Sequence, residues 1–171
     1  MTAEHYTPAA GLFDAWADDV LHGKPPELWT PGAGFHSVEL GPGLVVLVGG
    51  APGAGKTALT RGLARGWGAL ERVTSPTFTL INEYRRARDS ERFYHVDAYR
   101  LSGAEEAVTT GLEDILDAPG VVVIEWPERI EPLLPAGRLW IDITAGGESE
   151  RTFTLRPGGE RAAQLVRELR D

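Results

Sequence analysis

Leu44-Val-Val-Leu-Val48 runs through Gly49 into Gly50-Ala-Pro-Gly-Ala-Gly-Lys-Thr57, and Ala58, Leu59, Leu63 and Ala64 follow at helical spacing before Gly66 and Gly68. A continuous run of branched aliphatic residues is the signature of a parallel strand buried on both faces. The eight residues from Gly50 to Thr57 fit GxxxxGK[ST] once in the chain, against about 0.003 matches expected by chance from its glycine, lysine and hydroxyl content. Strand, glycine loop and helix stand in the order that a phosphate-binding loop requires. Glycines let such a loop turn its N–H groups towards one centre, and the following helix adds its positive end. Lys56 is a compact charge suited to β- and γ-phosphates, and the Thr57 hydroxyl is placed to ligate Mg²⁺.

Composition supports this focus. The chain has 171 residues, 42% of them hydrophobic and 25% charged, which suits one globular domain over residues 1–171 and excludes wholesale disorder or fibrous architecture. There is no cysteine, so disulfides, thiolate metal sites and cysteine nucleophiles are excluded. No apolar run approaches a membrane span, and the first residues carry no basic region followed by an apolar block, so the expectation is a cytoplasmic protein away from the membrane. The net charge is −8, but residues 1–50, 51–100 and 101–171 carry −5, +4 and −7. An acidic protein is a poor stand-alone nucleic-acid binder, whereas a basic middle segment points to a local anionic ligand. Fifteen of the seventeen basic residues are arginine. The two lysines are Lys24 and Lys56, so a chain that prefers arginine keeps lysine inside the loop.

Hydrolysis or transfer also needs an acid to hold the metal and orient water. Val121-Val-Val-Ile-Glu125 is an apolar run ending in a carboxylate, and Phe93-Tyr-His-Val-Asp97 is a weaker version of the same pattern. In a parallel sheet both acids emerge at the C-terminal edge, beside the phosphate loop. Ser75-Pro-Thr-Phe-Thr-Leu80 lies between the loop helix and the Asp97 strand. Its hydroxyls at 75, 77 and 79 are placed either to sense a γ-phosphate or simply to lead into a strand at Phe78–Tyr84. The cluster Arg85, Arg86, Arg88 and Arg92 fits a solvated hairpin tip, a phosphate-facing lid, or an RNA or partner contact.

Gly50–Thr57, Ser75–Leu80, His95-Val-Asp-Ala-Tyr-Arg-Leu101, Gly111-Leu-Glu-Asp114 and Val123-Ile-Glu-Trp-Pro-Glu128 occur in this order. On these motifs the stretch from about Leu44 to Glu128 resembles the TsaE (YjeE) family, bacterial ATPases of tRNA threonylcarbamoyladenosine biosynthesis. The resemblance implies an α/β P-loop NTPase fold with a mixed central sheet flanked by helices. It also implies work with the proteins TsaD and TsaB during modification of adenosine 37 in tRNAs reading ANN codons. TsaD performs the transfer, hydrolysis of ATP resets the complex, and tRNA is met through that complex. Carried over by motif position, Gly53, Ala54, Gly55, Lys56, Thr57 and Ala58 bind the phosphates, and Thr57 and Glu125 hold Mg²⁺. Asp97 is a catalytic or metal-bridging acid, Thr77 a switch contact, and Trp126 a neighbour of the nucleotide or of a partner.

The flanks read as scaffold. Residues 1–40 combine an amphipathic helix at about 8–22, carried by Leu12, Phe13, Trp16 and Val20, with an extended loop from Lys24 to Gly34. Residues 138–171 alternate as two strands, Arg138–Thr144 and Thr152–Pro157, before a helix at about Gly159–Arg170. Two other functions fit the loop alone. A stand-alone small-molecule or nucleoside kinase needs an acceptor motif that the sequence does not offer. A non-hydrolysing nucleotide-binding adaptor has no need of Asp97 and Glu125.

Overall fold

The computed structural model describes residues 4–6, 40–76, 79–147 and 150–168. Among these residues seven strands form one sheet: β1 (Glu4–Tyr6), β2 (Leu44–Gly50), β3 (Ile81–Arg85), β4 (Arg92–Asp97), β5 (Gly120–Glu125), β6 (Arg138–Ala145) and β7 (Arg151–Pro157). Their spatial order is β1-β7-β6-β2-β5-β4-β3. β2 pairs in parallel with both β5 and β6, and β4 with β5, while β3 and β7 run antiparallel to their neighbours. The sheet is therefore mixed, with a parallel centre.

That centre is where the aliphatic runs lie. Leu44 to Val48 and Val121 to Ile124 are all at most 3% exposed, and burial of each such side chain contributes about 1.5–3 kcal/mol. Alternate side chains divide between two layers. Leu44, Val46, Val48, Val121 and Val123 face α1 (Lys56–Trp67) and α4 (Glu160–Glu168), whose Ala64, Trp67, Ala162, Leu165 and Val166 close that side. Val45, Leu47, Val122 and Ile124 face the short helices α2 (Ala104–Val108) and α3 (Leu112–Leu116) and the turns carrying Ile130 and Leu134.

Helix α1 ends at Trp67 because Gly68 takes the left-handed conformation and returns its N–H to Ala64 and Arg65. β3 starts at Ile81, three residues after the strand start read at Phe78, since Leu80 turns the chain at φ 65°. β1, α2 and α3 had no clear pattern in the sequence, being three to five residues long. The helix expected at about 8–22, the extended loop at 24–34 and Thr77 lie outside the described residues.

The arginine cluster is not a phosphate-facing lid. It sits around the β3–β4 turn, and β4 begins at Arg92 opposite Gly120 and ends at Asp97 opposite Glu125. Five strand steps of about 3.3 Å put that turn roughly 16 Å from the edge where the carboxylates emerge. Nor is the tip fully solvated. Arg86 is 5% exposed, lies 4.4 Å over the Trp67 ring and is paired with Asp89 and Glu91. Arg92 donates to Glu83 at 2.7 Å.

Candidate nucleotide and metal site

The loop after β2 is shaped by its glycines. Gly50 has φ +135°, and a Cβ there would lie 2.6 Å from the Ile143 carbonyl oxygen. Gly55 has φ +105° and hands the chain to α1 without any side-chain cap or first-turn acid. The N–H groups of Lys56, Thr57 and Ala58 are therefore among those that no helix carbonyl can take, at the positive end of a twelve-residue helix. Arg151 of β7 donates to the Ala54 carbonyl at 3.2 Å and ties the loop to the C-terminal hairpin.

Lys56 points back over its own loop. Its Nζ donates to the carbonyls of Gly50 at 2.7 Å and Ala51 at 2.9 Å, and lies 3.6 Å from the centroid of the Trp126 ring. The residue is 5% exposed. Burial pushes its ammonium below the ordinary lysine range, while the negative charges of Glu125, Glu128 and Asp97 act in the opposite sense. The Trp126 ring is in turn packed 5.0 Å from the Tyr99 ring, at 48°. Trp126 has φ 60°, an uncommon conformation for a bulky residue, and its N–H donates to Val48 O at 3.3 Å. This kink at the end of β5 turns the indole over the loop.

Two distant segments meet at Thr57. Its hydroxyl donates to Glu125 Oε2 at 3.0 Å, joining the first turn of α1 to the last residue of β5. Glu125 is 2% exposed. Its other oxygen, Oε1, accepts from the Thr60 hydroxyl at 3.1 Å and lies 2.8 Å from His95 Nε2. Asp97 stands beside Glu125 in register on β4, and its carboxylate accepts from the Tyr99 N–H at 3.1 Å and the Ser75 hydroxyl at 3.3 Å.

The sheet thus brings Lys56, Thr57, Glu125, Asp97 and Trp126 to one edge, around the loop that carries Gly53, Ala54 and Gly55 and the first turn of α1 with Ala58. Ser75 joins them through Asp97. Sequence reading missed Thr60 and His95. Thr60 looks like an ordinary helix residue, and His95 sits inside a strand pattern that draws the eye to Asp97; only the in-register pairing His95–Val123 beside Glu125 reveals it.

Among the described residues no group of three or more His, Cys, Asp or Glu side chains could hold a metal ion. Magnesium takes one or two protein oxygens and completes its shell with water and phosphate. A hydroxyl and a carboxylate 3.0 Å apart at the mouth of a phosphate loop are such a pair.

Comparison with known proteins gives the family. The family model of "Threonylcarbamoyl adenosine biosynthesis protein TsaE" matches residues 30–153. The tRNA threonylcarbamoyladenosine biosynthesis protein TsaE of Bacillus subtilis is 41% identical over 128 residues, 75% of this chain and 78% of its own. Its namesake from Nostoc sp. PCC 7120 is 42% identical over 130 residues, 72% of this chain and 76% of its own. A crystal structure of YdiB from Bacillus subtilis superposes with a TM-score of 0.66 at 29% identity, covering 99% of this chain and 95% of that one. The chain belongs to the TsaE family of tRNA threonylcarbamoyladenosine biosynthesis proteins.

Proposed function

We propose that this protein is a magnesium-dependent ATPase of the cytoplasm whose turnover resets a complex of TsaD and TsaB homologues during threonylcarbamoylation of adenosine 37 in tRNAs reading ANN codons. The observation that carries the ATPase reading is the contact between Thr57 and Glu125 at the mouth of the loop. A loop that merely bound phosphate would have no use for a buried carboxylate aimed at its terminal hydroxyl. Family membership supports the pathway. No helix among the described residues is long and apolar enough to cross a membrane.

Each side chain has a task in this reading. The N–H groups from Gly53 to Ala58 take the phosphate oxygens, with the start of α1 favouring their charge. Lys56 leaves the carbonyls of Gly50 and Ala51 and moves onto the β- and γ-phosphates. Thr57 and Glu125 would hold magnesium, which when bound neutralises charge on the phosphates. Asp97, held by Ser75 and the Tyr99 N–H, orients the attacking water. Thr77 contacts the γ-phosphate as a switch residue, and Trp126 walls the phosphate side of the pocket. Water attacks the γ-phosphorus, and ADP and phosphate leave.

The test is ATP turnover with and without TsaD and TsaB homologues, together with threonylcarbamoyladenosine formation in the reconstituted system. The expected result is slow hydrolysis alone, faster hydrolysis with the partners, and product beyond one equivalent only when this protein and ATP are present. Fast turnover indifferent to both partners would overturn the reset role. A phosphorylated small molecule made without partners would replace it with a kinase.

A further inference from the structure

Glu125 is approached from three sides, and its two oxygens are treated differently. Oε2 meets only the Thr57 hydroxyl among the hydrogen bonds described, whereas Oε1 meets both the Thr60 hydroxyl and His95 Nε2. Thr60 and His95 are each 0% exposed, and neither belongs to the loop motif. We infer that Thr60 and His95 form a two-donor clamp on Glu125 Oε1, positioning residues that leave Oε2 as the oxygen offered to the metal; this rests on the magnesium-dependent reading above.

The chemistry of the donors supports the division. The Thr60 hydroxyl has one proton and two acceptors in reach, Lys56 O and Glu125 Oε1, both at 3.1 Å. A charged carboxylate is the stronger acceptor. A carboxylate oxygen that accepts from an imidazole is served by the ring nitrogen facing it, which here is Nε2 at 2.8 Å. The other ring nitrogen, Nδ1, is buried with no hydrogen-bond partner among the described residues. A histidine that gives up one ring nitrogen's partner to orient a buried acid acts as an outer-shell group of a metal site does. The spacing fits as well. Thr57 and Thr60 are three residues apart on α1 and so share a face. One helix face thereby grips both oxygens of the same carboxylate, and His95, on the strand beside β5, braces Oε1 from within the sheet. Without the clamp, the carboxylate is free to rotate and Oε2 loses its fixed aim at the Thr57 hydroxyl.

The experiment compares Thr60→Val, which keeps the shape and removes the hydroxyl, with His95→Leu and His95→Gln, the last returning an N–H donor near the Nε2 position. Calorimetry measures the affinity for β,γ-imido-ATP with and without Mg²⁺, and thermal unfolding is followed without nucleotide. Magnesium-free affinity is expected within about twofold of wild type in all three. The gain in affinity on adding Mg²⁺ should fall about tenfold in Thr60→Val and His95→Leu and return to within about threefold in His95→Gln. Unchanged gains in Thr60→Val and His95→Leu would overturn the clamp, as would equal losses with and without magnesium, or a His95→Gln variant as poor as His95→Leu. Should His95→Leu fail to fold, Thr60→Val decides the matter. A wild-type protein that binds the magnesium complex but hydrolyses nothing sinks the ATPase reading and leaves the clamp standing; active wild type with indifferent variants does the reverse.

Discussion

The Lys56 ammonium lies 3.6 Å from the centroid of the Trp126 ring while donating to the carbonyls of Gly50 and Ala51. The charge that should meet the phosphates is therefore parked on its own loop, beneath an indole. A cation held this way gains about 1–2 kcal/mol from the ring when desolvated, a modest amount that a triphosphate easily exceeds. Nucleotide entry must exchange one set of contacts for the other.

This exchange should be visible in Trp126. Removing an ammonium from the face of an indole alters its emission, so nucleotide addition should change the tryptophan fluorescence. The change should be largely lost in Trp126→Phe. Affinity in that variant should shift by less than about thirtyfold, the equivalent of a cation–π contact. A wild-type signal that Trp126→Phe leaves undiminished would show that Trp126 does not sense the nucleotide, against the exchange.

Glu125→Gln and Thr57→Val each keep shape while removing one half of the metal pair. Turnover should fall about a hundredfold in each, equivalent to ~2.7 kcal/mol of barrier. Because Glu125 is buried among three donors, Glu125→Ala would also leave those donors unpaired and lower the unfolding midpoint. The amide variant is the cleaner probe. Near-normal hydrolysis by Glu125→Gln would remove that residue from the reaction.

Gly50→Ala and Gly53→Ala separate strain from collision. Both glycines have positive φ, but a Cβ at Gly50 meets Ile143 O at 2.6 Å, whereas at Gly53 nothing lies within 4 Å. Gly53→Ala should cost only the left-handed conformation, roughly 1 kcal/mol. Gly50→Ala must also push the loop off β6, costing about 1–3 kcal/mol more, and should weaken nucleotide binding by tenfold or more. Calorimetry and thermal melts of the pair check this; equal behaviour would mean that the close approach to Ile143 is unimportant.

The legible parts of the molecule were those where one physical demand dominates. Burial on both faces made β2 and β5 readable from aliphatic runs alone, and the phosphate loop was readable because few residue types permit its backbone. Strand-end acids could be placed near the loop because parallel strands finish at one edge. Thr60 and His95 were not readable, since a hydroxyl in a helix and an imidazole in a strand acquire their meaning only when two strands pair in register. The positive φ of Trp126 had no sign in the sequence, because tertiary contacts hold it there against local preference. The place of Arg86 was open for a similar reason: an arginine cluster fits a solvated tip, a lid or a partner contact alike, while Trp67, Asp89 and Glu91 draw this one inside.

Arg86 also sets the behaviour of the hairpin in acid. Its hydrogen bond holds the Asp89 carboxyl below the ordinary value near 3.8; burial opposes this, and the Glu91 N–H and the charges of Arg86 and Arg88 reinforce it. The folded state therefore binds this proton less readily than the unfolded chain. The stabilisation is fully present above the unfolded value, from about pH 5 upwards, and is lost as pH falls through the lowered folded value. Asp89→Asn should thus be less stable than wild type at neutral pH, with the gap narrowing steadily below about pH 4. Thermal melts from neutrality to about pH 3 check the sign, and a gap that stays constant would mean that the charge of Asp89 is irrelevant to folding. Since this turn lies at the opposite end of β4 from Asp97, nucleotide affinity at neutral pH should be unchanged in the variant.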